Sequence, residues 1–164
     1  MNRVVQKFIR ECLACQASKY NTNAPYGLLQ PLPSPTAVWE DIFMDFIKGL
    51  PKSMEKEVIW VVVDRLSKCA HFIALSHPYS TEILAKAYLD NIYKLHGLPK
   101  SIVSDRDTVF FSTFRQSLFS TLGVELHISS AYYPQSDRQT EVLNRCLEQY
   151  LRCMCSGSPK DWYK

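Results

Sequence analysis

The sequence has no long apolar run, few glycines and no internal repeat. Its apolar stretches fall well short of the roughly 18 to 20 residues that a membrane-spanning helix needs. Gln6, Lys7 and Arg10 interrupt the first apolar residues, so the apolar core of a secretory signal peptide is absent. Only 5 of 164 residues are glycine, which excludes a collagen-like chain. We therefore expect one globular domain in a soluble intracellular protein, with no membrane partner.

The larger part of the chain also lacks an excess of charge of either sign. Residues 1–38 carry four basic side chains and one acidic side chain, which accounts for the whole net charge of +3. Residues 39–164 carry 15 basic and 15 acidic side chains. Whatever this larger part binds, it does not attract it through a strong overall positive field.

Six cysteines are present, but a chain of this length does not need them as disulfides. It can bury about two thirds of its unfolded surface, which is enough for a core. We therefore expect the cysteines to be free thiols or metal ligands. Cys12 and Cys15 have the spacing of two zinc thiolates, yet a structural zinc site needs four ligands and no histidine precedes Cys12. A redox role for this pair lacks the βαβ pattern that accompanies such motifs.

Short apolar runs and helical periods organise the rest of the chain. The proline-rich stretch from Asn21 to Pro35 predicts an extended linker. Beyond it, short runs that are mostly apolar, the second of them rich in β-branched residues, predict five strands, at 42–47, 58–63, 71–75, 101–104 and 124–128.

Three helices are predicted from their periods and end signals. They run from Ser80 to Gly97, from Ser112 to Gly123, and onward from about Ser136, where the apolar face is formed by Val142, Cys146 and Tyr150. The order β-β-β-α-β-α-β-α predicts an α/β fold. Its mixed five-stranded sheet has three antiparallel strands and two further parallel strands, and is flanked by helices.

Three acidic residues stand out by their positions. Asp45 lies inside an otherwise apolar strand, where an isolated carboxylate is costly to desolvate. Asp105 follows a short strand, the usual place for functional groups in open α/β sheets, and Glu141 lies near the start of the last helix. If they converge, their hard oxygen atoms would select Mg²⁺ or Mn²⁺.

Each of these acids also has an ordinary interpretation. Asp45 can point to water from an edge strand. Asp105 can be a turn residue, in competition with Asp107. Glu141 can simply favour the helix N-terminus and pair with Arg145.

Four segments in order resemble the integrase catalytic core of Gypsy-type long-terminal-repeat retrotransposons, which belongs to the retroviral integrase superfamily. They are WEDIFMDFIKGLPKS, VIWVVVDRLSKCAHFIAL, KLHGLPKSIVSDRDTVF and AYYPQSDRQTEVLNRCLEQYLRC, and together they extend from about Trp39 to Cys153. Asp45, Asp105 and Glu141 reproduce the Asp, Asp-x35-Glu spacing of that superfamily. The resemblance implies an RNase H-like fold.

The resemblance also implies that the three carboxylates hold two Mg²⁺ or Mn²⁺ ions and that the protein acts on DNA. One ion would activate water for 3′-end processing or a DNA 3′-hydroxyl for strand transfer, and the other would stabilise the leaving oxygen. Asp45 would bridge the ions, with Asp105 and Glu141 on either side. Nuclear localisation and a homo-oligomeric parent protein are implied as well, with a cytoplasmic location open for the fragment.

By analogy with the family, DNA contacts are expected in the loop and helix around Glu141. The candidates are Tyr132, Gln135, Asn144 and Arg145, with Lys100 a weaker one. Asn144 and Arg145 can instead belong to a solvated helix face, and Tyr132 to ordinary packing.

The resemblance divides the chain into three parts. Residues 1–20 would be the remnant of a zinc-binding His-His-Cys-Cys module, 21–38 a linker, and 39–164 a catalytic core truncated at its C-terminus. Cys12 and Cys15 would then form an incomplete zinc half-site, with Zn²⁺ bound only in the intact parent protein.

Three positions depart from the family pattern, which has a Gly at Arg138, a His at Tyr133 and a Trp at Arg115. If position 138 requires a positive φ, its side chain costs about 1 kcal/mol or more.

The missing flanking modules leave a second interpretation open, a non-catalytic RNase H-like relic that binds nucleic acid or a partner without integrating DNA. A ribonuclease of the same fold would share the metal chemistry, but it fits the linker and the cysteine pair less well.

Overall fold

The computed structural model describes most of the chain, namely residues 2–17, 35–104, 113–114, 116–118, 120–121 and 138–164, apart from the side chains of 138–141. Two short helices come first, α1 (Arg3–Glu11) and α2 (Leu13–Ala17). Four strands follow, β1 (Asp41–Ile47), β2 (Val58–Asp64), β3 (Ala70–Leu75) and β4 (Ser101–Ser104).

The described helices after β3 lie on either side of β4 in the sequence. Before it come α3 (Thr81–Tyr88), a π-helical turn (Leu89–Tyr93) and α4 (Lys94–His96), which follow one another without a break. After it come helical residues at 113–114, 116–118 and 120–121, the long helix (Arg138–Met154) and a 3₁₀ turn (Pro159–Asp161). No helix in these described ranges is long and apolar enough to cross a membrane.

The strands form one mixed sheet in the order β3-β2-β1-β4. β2 pairs antiparallel with both β1 and β3, and β4 runs parallel to β1 with Ser104 opposite Met44. The predicted α/β fold is therefore confirmed, with three antiparallel strands and a parallel one. The fifth predicted strand, 124–128, lies outside the described residues.

Both faces of the sheet are covered, because every residue of β2 is buried. Trp60 and Val62 pack on one side with Leu84 and Tyr88 of α3. Side chains alternate along a strand, so the neighbouring residues of β2 point to the other face. On that face Ile59, Val61 and Val63 pack against the long helix.

The helix predicted from Ser80 is confirmed, including its two end signals. The Ser80 side chain accepts a hydrogen bond from the Ile83 N–H at 3.4 Å. At the other end Gly97 has a φ of 78°, which stops the helix and suits a residue without a side chain. In the next predicted helix, Phe114 and Leu118 are helical and buried.

The predicted apolar face of the long helix is wrong. Val142 and Tyr150 are 55% and 58% exposed, and Cys146 is also exposed. The face that packs on the sheet is the adjacent one, formed by Leu143, Leu147 and Leu151. Both sets recur every four residues, so spacing alone does not decide which one the sheet covers.

Candidate active site

Asp45 lies in the interior of the sheet, not at its edge. β1 is flanked by β2 and β4, and Asp45 pairs with Val61 of β2. Its side chain points to the same face as Phe43 and Ile47, the face that the long helix covers. The carboxylate is half-buried, and its Oδ1 accepts a hydrogen bond from the Phe46 N–H at 2.7 Å.

Asn144 of the long helix reaches the other oxygen of this carboxylate. Its Nδ2 donates a hydrogen bond to Oδ2 of Asp45. Asn144 is only 8% exposed, and its Oδ1 is buried without a hydrogen-bond partner among the described residues. An unpaired buried acceptor costs about 1–3 kcal/mol and calls for a functional or structural explanation. The contact therefore places a carboxylate beside an unpaired amide oxygen.

The other two predicted carboxylates are placed only through the backbone that leads to them. Glu141 belongs to the long helix, one turn before Asn144, and its side chain is not described. Asp105 itself lies outside the described residues, directly after Ser104. Because Ser104 is the partner of Met44, β4 runs beside β1 up to the residue before Asp45.

The atoms around Asp45 have the chemistry that a hard divalent cation prefers. Mg²⁺ and Mn²⁺ bind carboxylate and amide oxygens, and the unpaired Oδ1 of Asn144 adds one such atom beside Asp45. In the described part of the chain, no three His, Cys, Asp or Glu side chains form a group that could hold a metal ion. Asp105 and the Glu141 side chain lie outside that part.

The residues predicted to contact DNA fall in different environments. Tyr132 and Gln135 lie outside the described residues, whereas Asn144 contacts Asp45 and so does not belong to a solvated helix face. Arg145 is half-buried. Lys100 forms an ion pair with Glu40, and this hydrogen bond lowers the pKa of Glu40.

The predicted zinc half-site lies where α1 meets α2. Hydrogen bonds from the backbone N–H and the thiol of Cys15 lower the pKa of Cys12. The contact with the Cys12 thiol, together with burial and the nearby thiol of Cys153, raises the pKa of Cys15 to about 11. The approach of Cys153 from the long helix has no signal in the sequence. These thiols do not form a metal-holding group of three, and the half-site stays a prediction.

A fully buried aspartate, Asp64, was missed by the sequence analysis. It ends β2, and its Oδ1 accepts a hydrogen bond from the Trp39 N–H at 2.8 Å. Its Oδ2 accepts hydrogen bonds from the backbone N–H of Ser67, at 2.7 Å, and from the Ser67 hydroxyl. Burial by itself would raise the pKa of Asp64, but these hydrogen bonds outweigh it and hold the pKa below its usual value. The Asp-x-x-Ser pattern after a strand is the available signal, because Asp commonly caps such turns.

The sequence is similar to a segment of known retrotransposon polyproteins. It is 35% identical over 162 residues to the Tf2-3, Tf2-4 and Tf2-5 transposon polyproteins of Schizosaccharomyces pombe (strain 972 / ATCC 24843). The match covers 99% of this chain and 12% of each polyprotein, so the chain spans about an eighth of the length of these curated relatives. No protein-family profile matches it.

The fold is similar to that of retroviral integrases. One such structure is the simian T-cell lymphotropic virus intasome in complex with PP2A regulatory subunit B56 gamma, with a TM-score of 0.57 and 20% identity, covering 95% of this chain and 54% of that chain. Another is the HTLV-2 integrase catalytic core domain in complex with magnesium, in a dimeric form, with a TM-score of 0.52, 18% identity and 74% of each chain covered.

Two independent findings now agree with the resemblance of the four sequence segments. Homology extends along almost the whole chain to retrotransposon polyproteins, and the mixed sheet with its helices has the fold of retroviral integrase cores. The chain is therefore homologous to one segment of these retrotransposon polyproteins, and its described residues have the mixed α/β fold of retroviral integrase catalytic cores.

Proposed function

We propose that the chain is the catalytic segment of a retrotransposon integrase, which processes DNA 3′ ends and transfers them into target DNA with divalent metal ions. The observation that carries the proposal is the contact between Asp45 and Asn144 beneath the long helix. It gives an interior carboxylate and a buried amide oxygen that has no hydrogen-bond partner among the described residues. Such a pair has little value for packing and suits a metal-dependent site.

Asp45, Asp105 and Glu141 would hold two Mg²⁺ or Mn²⁺ ions, which when bound supply activation of the attacking oxygen and stabilisation of the leaving oxygen. Asn144 holds one oxygen of Asp45 through its amide group, and the Phe46 N–H holds the other at 2.7 Å. Hydrogen bonds of this kind fix the orientation of a metal-binding carboxylate before the metal ion binds. No covalent intermediate on the protein is needed.

The proposed partners are the ends of the element's DNA, target DNA and further copies of the integrase. Two similar structures support this, since one is described as an intasome and the other as a dimeric form with magnesium. Residues 39–164 carry equal numbers of basic and acidic side chains. Bound cations and local basic patches, and not an overall field, would therefore receive the DNA phosphates. A nuclear location follows from the same proposal.

The test is a nicking and strand-transfer assay with the purified chain, duplex DNA carrying the element's end sequence, and Mn²⁺. Asp105→Asn is expected to abolish metal-dependent nicking while circular dichroism shows a retained fold. Asp107→Asn is the matched control, two positions along the same segment, and should retain activity. Unchanged nicking by Asp105→Asn would contradict the mechanism.

The same assay separates the catalytic proposal from the non-catalytic one. A folded wild-type chain that binds DNA but produces no metal-dependent product, under conditions in which a retroviral integrase is active, would favour an RNase H-like module that binds nucleic acid without integrating it.

A further inference from the structure

Two histidines meet at the side of the sheet farthest from β4. His71 belongs to the edge strand β3 and His96 to α4, and their Nε2 atoms are 2.9 Å apart. Both side chains are half-buried. Trp39 lies against both rings. It stacks on His96 with ring centroids 3.8 Å apart and planes 7° apart, and it is tilted against His71 at 5.2 Å.

The two imidazoles face each other through their nitrogens and not through their ring faces. Their centroids are 5.2 Å apart, whereas the Nε2 atoms are 2.9 Å apart. This separation is that of a hydrogen bond, in which one Nε2 carries a proton and the other accepts it. A tetrahedral zinc ion bound by both atoms at about 2.0–2.1 Å would hold them about 3.3 Å apart, so the observed 2.9 Å fits a shared proton better.

Among the described residues, the pKa values of this pair respond to burial, to the pair itself and to one carboxylate. Burial lowers the pKa of both histidines, and His71 lowers the pKa of His96 further. The opposing influence comes from the buried Asp64 of β2, which raises the pKa of His96. Of the other charged side chains near these elements, Glu40 pairs with Lys100 and Asp90 pairs with Lys94.

The pair holds together three segments that are distant in the sequence. Besides β3 and α4, it fixes Trp39, which immediately precedes β1. Trp39 has a φ of 62°, a conformation that bulky side chains rarely adopt. The contacts that hold it there include the hydrogen bond from its N–H to Asp64, the stack on His96 and its packing in the apolar core. Loss of the His96 contact would remove one of these supports.

We propose that His71 and His96 form a proton-operated latch that fixes the segment before β1 and the end of the α4 region to the sheet. The closed form requires an Nε2 without a proton on one of the two rings. One added proton can be taken at an Nδ1 atom without breaking the contact. A second proton places N–H groups on both Nε2 atoms, so the rings repel each other and Trp39 is released from its stack.

The experiment is a pH titration of the full chain by NMR, from pH 8 to pH 4.5, following the histidine rings and the Trp39 indole N–H. The Trp39→Phe variant assigns the indole signal. In the wild type, the Trp39 signal should shift together with the later of the two histidine titrations, below about pH 6.5, the usual pKa of histidine. The amide signals of β2 should remain, which separates release of the latch from unfolding.

Substitutions by glutamine, which does not titrate, test the pair directly. His71→Gln and His96→Gln should each abolish the acid transition of the Trp39 signal. His77→Gln, at an exposed histidine outside the pair, should leave it unchanged. An acid transition of Trp39 that persists in both pair variants, or a Trp39 signal that stays constant while both wild-type rings titrate, would overturn the proposal.

Thermal unfolding gives a second measurement that does not depend on the indole signal. Because burial lowers the pKa of both histidines, the unfolded chain binds more protons below about pH 6.5, and the stability contributed by the pair is lost as the pH falls. The melting temperature of the wild type should therefore drop more steeply between pH 7 and pH 5 than that of His71→Gln. Equal slopes would contradict the latch.

Discussion

The carboxylate of Asp45 tolerates its interior position because both of its oxygens accept hydrogen bonds. One bond comes from the neighbouring backbone at Phe46 and the other from Asn144, which is 99 positions away in the sequence. A half-buried carboxylate without such donors would be strongly disfavoured. Asn144 is consequently a positioning residue for Asp45.

Removal of Asn144 tests this role. Asn144→Ala leaves one oxygen of Asp45 without its donor, so we expect Mn²⁺ affinity to fall about tenfold and the free energy of unfolding to fall by about 1–2 kcal/mol. The measurements are calorimetric Mn²⁺ titration and urea unfolding. Asn91→Ala is the control, because Asn91 is an exposed asparagine of the π-helical turn. Equal metal affinities for the two variants would contradict the positioning role.

Asp64 makes a second prediction, which concerns stability alone. Asp64→Ala leaves the N–H groups of Trp39 and Ser67 without their acceptor, so the free energy of unfolding at pH 7 should fall by about 2–4 kcal/mol. Hydrogen bonding holds the pKa of Asp64 below its usual value. The stability it contributes is therefore present above about pH 3.9 and is lost as the pH falls below that value.

The difference between the wild type and Asp64→Ala should accordingly narrow in acid, which urea unfolding at pH 7, 5 and 3.5 can measure. Asp90→Ala provides a matched control, since Asp90 is half exposed and pairs with Lys94 at the surface. Such a surface pair is worth less than about 1 kcal/mol. A loss at Asp64 no larger than the loss at Asp90 would show that the buried hydrogen bonds contribute little.

At the scale of the element, the long helix decides how the site is assembled. It packs on the sheet through Leu143, Leu147 and Leu151. This orientation of the helix about its axis turns Asn144 toward Asp45. With the predicted face of Val142 and Cys146 against the sheet, Asn144 would not take the same place. The packing of one apolar stripe thus sets the contact on which the candidate site depends.

Truncating one side chain from each of the two apolar sets of the long helix tests which set packs against the sheet. Leu147→Ala removes packing against the sheet and should lower the free energy of unfolding by about 2 kcal/mol, the lower end for buried leucines, because Leu147 is only partly buried. Val142→Ala, in the exposed stripe of the same helix, should change it by less than about 0.5 kcal/mol. Chemical unfolding measures both, and a reversed order would mean that the exposed stripe is the one covered in solution.

The sequence was informative about the elements whose signals are local. Short apolar runs predicted β1 and β2, and Ser80 with Gly97 marked both ends of one helical stretch. Side-chain contacts between distant elements carry no such local signal. The contact of Asn144 with Asp45, and that of His71 with His96, depend on how helices rotate and lie over the sheet, and a single sequence does not specify this.

At the scale of the whole molecule, one sheet has two differently used faces. Trp60 and Tyr88 belong to an aromatic core on the side of α3. On the other side, the long helix covers the sheet around Asp45. The first face accounts for most of the large buried side chains, so it supplies a rigid support on which the second face can carry polar groups.

The fold class is a property of the whole chain, whereas the order of its strands is not visible in the sequence. The alternation of apolar runs and helical periods predicted the α/β class. The order of the strands depends on their pairing, which only the structure shows. The three carboxylates were proposed because they match the spacing of a family motif. Their convergence is a matter of distances between elements, and it remains the central prediction for this chain.

The most direct test of that prediction is a calorimetric titration of the purified chain with Mn²⁺, with Asp45→Asn and Glu141→Gln measured beside it. Glu148→Gln is the matched control, because Glu148 lies two turns further along the same long helix and pairs with Arg152 at the surface. The account predicts saturable binding that is lost in Asp45→Asn and Glu141→Gln and kept in Glu148→Gln. Binding that survives both substitutions, or its absence in the folded wild-type chain, would contradict it.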